Sequence, residues 1–207
     1  MRAAFQSRPD IRLVKSSPPP ETARTSSPVN VPMWDQSTLK ITPELRERIA
    51  DLLGREPRGL EAVAVARDDG QPVVIRVAPL VDDRPFPTLF WLVDPDLCYR
   101  IDGAEAGGLI RELQGQVDAS ATLRQRMRDD HLAHIALRDR YIGAAQRQRL
   151  AALGFSAVLD ERGIGGIADF SRIRCLHTWY AAHLVVPNTI GAMLEAWWAQ
   201  QAMQEQQ

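Results

Sequence analysis

Glu61-Ala62-Val63-Ala64-Val65-Ala66-Arg67, then Asp69-Gly70, then Val73-Val74-Ile75-Arg76-Val77, is the stretch on which the fold turns. The first run alternates with Val63 and Val65 on one face, Asp-Gly is a turn dipeptide, and the second run is β-branched, which together predict a β-hairpin. Pro72 donates no backbone hydrogen bond and fits the start of a strand or an edge. A third run, Thr88 to Val93, comes after Pro85-Phe86-Pro87 and carries Phe90 and Trp91, and Cys98 follows Asp94-Pro95-Asp96-Leu97 at the strand end.

Upstream, Thr42-Pro43-Glu44 is a helix start: Thr caps, Pro takes the first turn, and Glu complements the dipole. Leu45, Ile49, Leu52 and Leu53 form the apolar stripe, and Gly54 stops the helix. Downstream the period becomes helical. A short helix is expected over Ala104 to Gln114 and a long one over Ala119 to Leu153, stopped by Gly154. Another should begin between Ile173 and His177 and run to Val186. Pro187-Asn188 breaks it before a last helix, Ile190 to Gln201. Three strands and then a series of helices predict an α+β fold: a small antiparallel sheet packed by C-terminal helices.

Residues 1–36 are rich in Ser, Thr and Pro and poor in large apolar side chains. Such a stretch cannot offset its ordering entropy by burial, so a disordered tail is expected, with Met33 as an alternative start. Residues 37–207 are expected to form one α+β domain. With 25 basic and 26 acidic residues there is no global field toward nucleic acid or an anionic membrane, and neither partner is expected. Two cysteines are too few for a disulfide framework, and no export signal or membrane span is visible, so free thiols and a cytoplasmic location are expected.

Two late blocks concentrate chemistry. Gly163-Ile164-Gly165-Gly166 is neither a Walker A loop nor a dinucleotide fingerprint, and reads as a turn needing positive φ or a backbone approach to a ligand at Gly165 and Gly166. Arg174-Cys175-Leu176-His177 sets a guanidinium, a thiol and an imidazole at a helix start, where free N–H groups favour an anion. Cys175 is a candidate nucleophile with His177 as its base. On the long helix, Met127, His131, His134, Ile135 and Arg138 share the inward face, together with Tyr141, Ile142 and Ala145. A buried Arg138 must find carboxylates, carbonyls or a bound anion.

From these residues comes a leading expectation: a polar pocket lined by Arg138, Arg174, His131, Gly165, Gly166 and Asn188, with Cys175 and His177, binding a small anionic ligand. A second is a non-catalytic interaction module that docks a partner through Trp197 and Trp198. A third is a metal protein using Cys175, His177, His131 and His134, with Cys98 completing the set if the fold brings it close. No Gly-x-Ser-x-Gly or His-Glu-x-x-His string occurs. Cofactor, reaction and oligomeric state are left open.

Leu53-Gly54-Arg55, Pro85-Phe86-Pro87-Thr88-Leu89-Phe90-Trp91-Leu92, Gly163-Ile164-Gly165-Gly166 and Arg174-Cys175-Leu176-His177, in this order and spacing, resemble the bacterial domain-of-unknown-function family 501 over about residues 43 to 195. The resemblance implies no reaction. Family members often read Lys-Cys-Leu-His-Ala-His at the late motif and Asn-Pro-Val-Gly after it. Here Arg174 stands in the Lys place, Thr178-Trp179 in that of Ala-His, and Asn188-Thr189-Ile190-Gly191 keeps the Asn and Gly. Relatives also carry cysteines in the hairpin, where this chain has Arg67-Asp68-Asp69-Gly70. These departures weaken the expectation of a metal centre here.

Overall fold

In the computed structural model, residues 41–204 are described. The tail expected over residues 1–36 and the alternative start at Met33 lie outside them.

Helix α1 (Pro43–Leu53) begins as its sequence dictates: the Thr42 side chain accepts from the Leu45 N–H at 3.2 Å, and Gly54 ends the helix in the left-handed region at φ 65°. Strands β1 (Leu60–Ala66) and β2 (Pro72–Val77) form the expected antiparallel hairpin, with Pro72 at the start of β2. A small second hairpin pairs β3 (Leu80–Val81) with β4 (Arg84–Pro85). Strand β5 (Phe90–Leu92) returns to pair antiparallel with β2, giving the order β1-β2-β5. The fold is therefore α+β with a small antiparallel sheet.

The pleat sends alternate side chains to opposite faces, and both faces are used. Ile75, Val77, Trp91 and Val93 meet Ile49, Leu45 and Leu52 of α1. Val74, Phe90 and Leu92 face the larger core, built from the helices C-terminal to the sheet. α1 thus covers the face that the C-terminal helices leave open.

Those helices depart from expectation in three places. Asp94-Pro95 does not close a strand; it opens α2 (Pro95–Ala106), with Asp94 accepting from the Leu97 N–H at 3.0 Å. Asp94 is itself fully buried and paired with Arg67 at 2.6 Å, so one carboxylate caps α2 and ties it to the end of β1. Cys98 consequently sits in the first turn of a helix rather than at a strand end. Gly107-Gly108 separates α2 from α3 (Leu109–Ala119), so the short helix expected over Ala104 to Gln114 is really the end of one and the start of another. The long helix is also two: α4 (Ala121–Arg140) stops at Tyr141, and α5 (Ala144–Ala152) starts beyond Gly143. Tyr141, Ile142 and Ala145 therefore leave the stripe, whose buried members are Met127, His131, His134 and Arg138. A short helix, α6 (Ser156–Asp160), and a 3₁₀ turn at Ile164–Gly166 lead to α7 (Leu176–Val185) and α8 (Thr189–Gln204), close to their expected limits.

Among the described residues no helix is long and apolar enough to cross a membrane.

A candidate metal centre at the start of helix α7

The inward stripe of α4 is buried as its period requires; Arg138 and His131 Nδ1 are met by the backbone, whereas His131 Nε2 and His134 Nε2 have no hydrogen-bond partner among the described residues. Arg138, 1% exposed, donates to the carbonyls of Pro87 and Arg162, each at 2.7 Å, and to that of Leu159. Burial brings its pKa down to about 10, against the pull of Asp160 and Asp139. The counter-group that the sequence demanded is thus a fork of backbone carbonyls. His131 Nδ1 accepts from the Ile164 N–H at 3.0 Å, while its ring stacks on Phe170 and meets Trp179 edge-on. His134 lies edge-on to Phe90. Burial holds both imidazoles neutral, His131 down to about 4 and His134 to about 3, the latter helped by the charge on Arg138. Asn188 donates to the Trp179 carbonyl and accepts from the Gly191 N–H, joining the end of α7 to the start of α8.

The glycine block serves the same framework. A Cβ on Gly163 would lie 2.2 Å from His131 Nδ1. Gly165, at φ 65°, has Thr178 Oγ1 against it, where a Cβ would lie 2.7 Å away. Gly166 lies against Pro87 and Thr88. Trp197 and Trp198 are half-buried against the larger core, and Trp198 meets Tyr180 edge-on beneath the Arg100 guanidinium.

Cys175 and His177 are brought together, and with them a residue that sequence reading missed. Cys175 is the extended residue before α7, and His177 occupies its first turn. The Leu176 N–H, one of the free donors expected to attract an anion, is met at 2.5 Å by Glu105 Oε1 from α2. The anion at this helix start is therefore the protein's own carboxylate. His177 Nδ1 lies 3.6 Å from Cys175 Sγ and 3.5 Å from Glu105 Oε1. On the other side of the ring, Nε2 lies 3.3 Å from the Cys98 carbonyl and 3.4 Å from Asp102 Oδ1. The hydrogen bond with Cys175 does most to push the His177 pKa up to about 9, opposed by burial and reinforced by Glu105 and Asp102. Cys98 contributes its carbonyl and not its thiol, which faces the Leu92 carbonyl at 3.9 Å. Burial, then Asp102 and Asp94, push that thiol up to about 11, which keeps it protonated and inert.

Arg174 is exposed and lines a groove of about 620 Å³ with Glu105, Arg111 and Arg172, whereas Arg138 is enclosed by its carbonyls. The two arginines do not share a hollow. His131 and His134 also stand apart from the cluster: among the described residues the set of three donors that converge is Glu105, Cys175 and His177, all within 4.8 Å of one another.

The protein-family model described as "Protein of unknown function (DUF501)" matches residues 63–196. The chain belongs to the DUF501 family. The matched span holds the whole Glu105–Cys175–His177 cluster of this DUF501 member and both glycine and Cys-Leu-His blocks; Leu53-Gly54-Arg55 lies before it. No curated protein and no solved structure matches the chain.

A signal for Glu105 did exist. Asp102 and Glu105 are three residues apart and so share a face of a helix, and Asp94-Pro95 is the same cap-and-proline start as Thr42-Pro43. Reading Asp94-Pro95 as the end of a strand removed the helix on which that face sits.

Proposed function

We propose that this protein binds one divalent transition-metal ion through Cys175 Sγ, His177 Nδ1 and Glu105 Oε1. The observation that carries the reading is the spacing of those atoms. Around a tetrahedral zinc ion with bonds of about 2.0–2.3 Å, neighbouring donor atoms lie about 3.3–3.6 Å apart. The Sγ–Nδ1 and Oε1–Nδ1 separations are 3.6 and 3.5 Å. The far side of the ring supports the same conclusion. A ligating histidine donates its other N–H to a carboxylate or carbonyl, which fixes the tautomer and ring orientation, and Nε2 faces both the Cys98 carbonyl and Asp102.

A mixed S, N, O donor set suits zinc better than calcium or magnesium, which prefer oxygen alone. Three protein ligands leave the fourth position to water or a ligand, the pattern of a catalytic rather than a structural zinc site. The carboxylate comes from α2, 71 residues before Leu176, whose N–H it also accepts.

The test is elemental analysis of the full-length protein, purified without a metal-affinity tag and reloaded with zinc. One equivalent is expected in the wild type and less than a tenth in Cys175→Ala and His177→Ala. Cobalt substitution should add a thiolate-to-metal absorption band. Wild-type protein that holds no zinc after reloading, or variants that retain it, would overturn the proposal.

A second reading has its own support. Cys175, His177 and Asp102 line up as nucleophile, base and orienting carboxylate, with the last two joined through Nε2. The placement of Glu105 beside Nδ1 favours the metal, because that carboxylate crowds the proton-transfer position of a nucleophile–base pair. Iodoacetamide separates the two: rapid alkylation of Cys175 that zinc does not slow supports the nucleophile, and protection by zinc supports the metal centre.

A further inference from the structure

We infer that a small organic phosphate binds in two adjoining clefts between α1, β5 and the start of α7, which His177 alone of the proposed metal ligands reaches. This inference rests on the metal reading for the role of His177 and on independent geometry for the ligand.

The first cleft, about 340 Å³, is lined by Arg55, Thr88, Trp91, His177 and Thr178 along with Phe90 and Leu92. Every side chain in it comes from, or stands directly after, one of three separate motif strings: Leu53-Gly54-Arg55, Pro85 to Leu92, and Arg174 to His177. The fourth string underlies the same wall, because Gly165 abuts Thr178 and Gly166 abuts Pro87 and Thr88.

The second cleft, about 380 Å³, shares Arg55 and Trp91 with the first and adds Arg58, Arg84 and Phe86. It sets three guanidiniums against one carboxylate, Asp82. Arg58 reaches Asp82 at 3.4 Å. Arg55 and Arg84 have no carboxylate within ion-pair distance among the described residues; Arg55 lies over the Trp91 ring at 4.7 Å. Two uncommitted guanidiniums in one opening match a dianion, and their planar forks suit phosphate. The Phe86–Trp91 pair, 5.5 Å between ring centres, supplies an apolar wall for an organic group. The volumes are those of small-molecule sites and too small for a macromolecule.

The turn that carries Arg84 is fixed at a cost. Asp82 and Asp83 both lie in the left-handed region, at φ 50° and 57°, where glycine or asparagine is usual. Arg58 holds Asp82, and Arg149 from α5 holds Asp83 through two hydrogen bonds, one of 2.8 Å. The bound phosphate thus lies on the arginines, the organic group along Trp91, and the far end of the ligand toward His177.

The experiment is calorimetric titration of the full-length protein, with and without zinc, using phenyl phosphate as the probe and inorganic phosphate and phenol for its two halves. Phenyl phosphate should bind more tightly than either half. Arg55→Gln and Arg84→Gln, both at exposed positions, should each weaken it about tenfold, the loss of one charge-assisted contact, with zinc content unchanged. Absence of phenyl phosphate binding, or unchanged binding in both variants, overturns the inference. Arginine-dependent binding by protein that takes up no zinc would uphold the cleft while the metal reading fails.

Discussion

The guanidinium of Arg138, in α4, donates to the carbonyl of Pro87 at 2.7 Å, holding the segment that lines the candidate substrate cleft against a helix fifty-one positions away in sequence. Its remaining donors reach Leu159 and Arg162. One buried cation therefore ties the Pro87 segment to the C-terminal end of α6, where the last carbonyls of a helix have no intrahelical partner.

Arg138→Met keeps most of the volume and removes all three bonds. Unpaired buried carbonyls cost about 1–3 kcal/mol each, so the variant should lose about 3 kcal/mol or more of stability. Arg138→Lys should recover only part of this, since a single ammonium lacks the planar fork. Urea denaturation monitored by circular dichroism measures both; wild-type stability in the Met variant refutes the stapling role.

Gly163 is set by space. A methyl group there would overlap His131 Nδ1 at 2.2 Å, so Gly163→Ala should cost about 1–3 kcal/mol or more, as over-packed sites do. Gly115, exposed in the interior of α3 with nothing within 4 Å of an added Cβ, is the control. Gly115→Ala should leave stability unchanged or raise it by up to about 1 kcal/mol. Thermal melts of the two variants should move in opposite directions.

The buried histidines set an acid limit on stability. A depressed folded-state pKa means that the unfolded chain binds protons more tightly than the native state, so native stability falls as pH drops below the unfolded value. The fall should begin near pH 6.5 and continue toward about 4 for His131 and about 3 for His134. For His131 it amounts to about 3 kcal/mol. His131→Asn retains an acceptor for the Ile164 N–H but does not titrate, and its stability should decline less steeply between pH 6.5 and 4 in denaturant titrations. An equal slope in the variant argues against a neutral buried imidazole.

Metal removal should report through stability as well as content. A ligand bound only by the native state, present at about one hundred times its dissociation constant, contributes about 2.7 kcal/mol. A chelator should therefore lower the melting temperature of the zinc-loaded wild type and leave Cys175→Ala unmoved. Glu105→Gln should fall between them, because the amide can still accept from the Leu176 N–H while being a poor zinc ligand. A wild type that melts identically with and without chelator contradicts the proposed centre.

Much of the framework is legible in the sequence because its causes are local. Thr42, Pro43 and Gly54 bound α1 through backbone groups a few residues away, and alternation with a turn dipeptide marks the β1–β2 hairpin. Inward placement of His131 and Arg138 comes from the helical period. The misreadings are local too: Gly143 breaks a stretch whose hydrophobic period runs on through it, and Asp94-Pro95 serves equally as a turn or a helix start until packing fixes the conformation of the residues beyond it.

Period, caps and turn residues act over a turn or two of chain, and so the order of residues alone was enough to draw His131 and Arg138 inside and to set most strands and helices. The groups that meet those buried or reactive side chains were chosen by tertiary packing: carbonyls for Arg138, Glu105 for the start of α7, and Asp102 with the Cys98 carbonyl for His177. Those partners come from elements dozens of residues away. Their approach depends on how helices seat against the sheet, a property of the packed whole that no short window of sequence encodes.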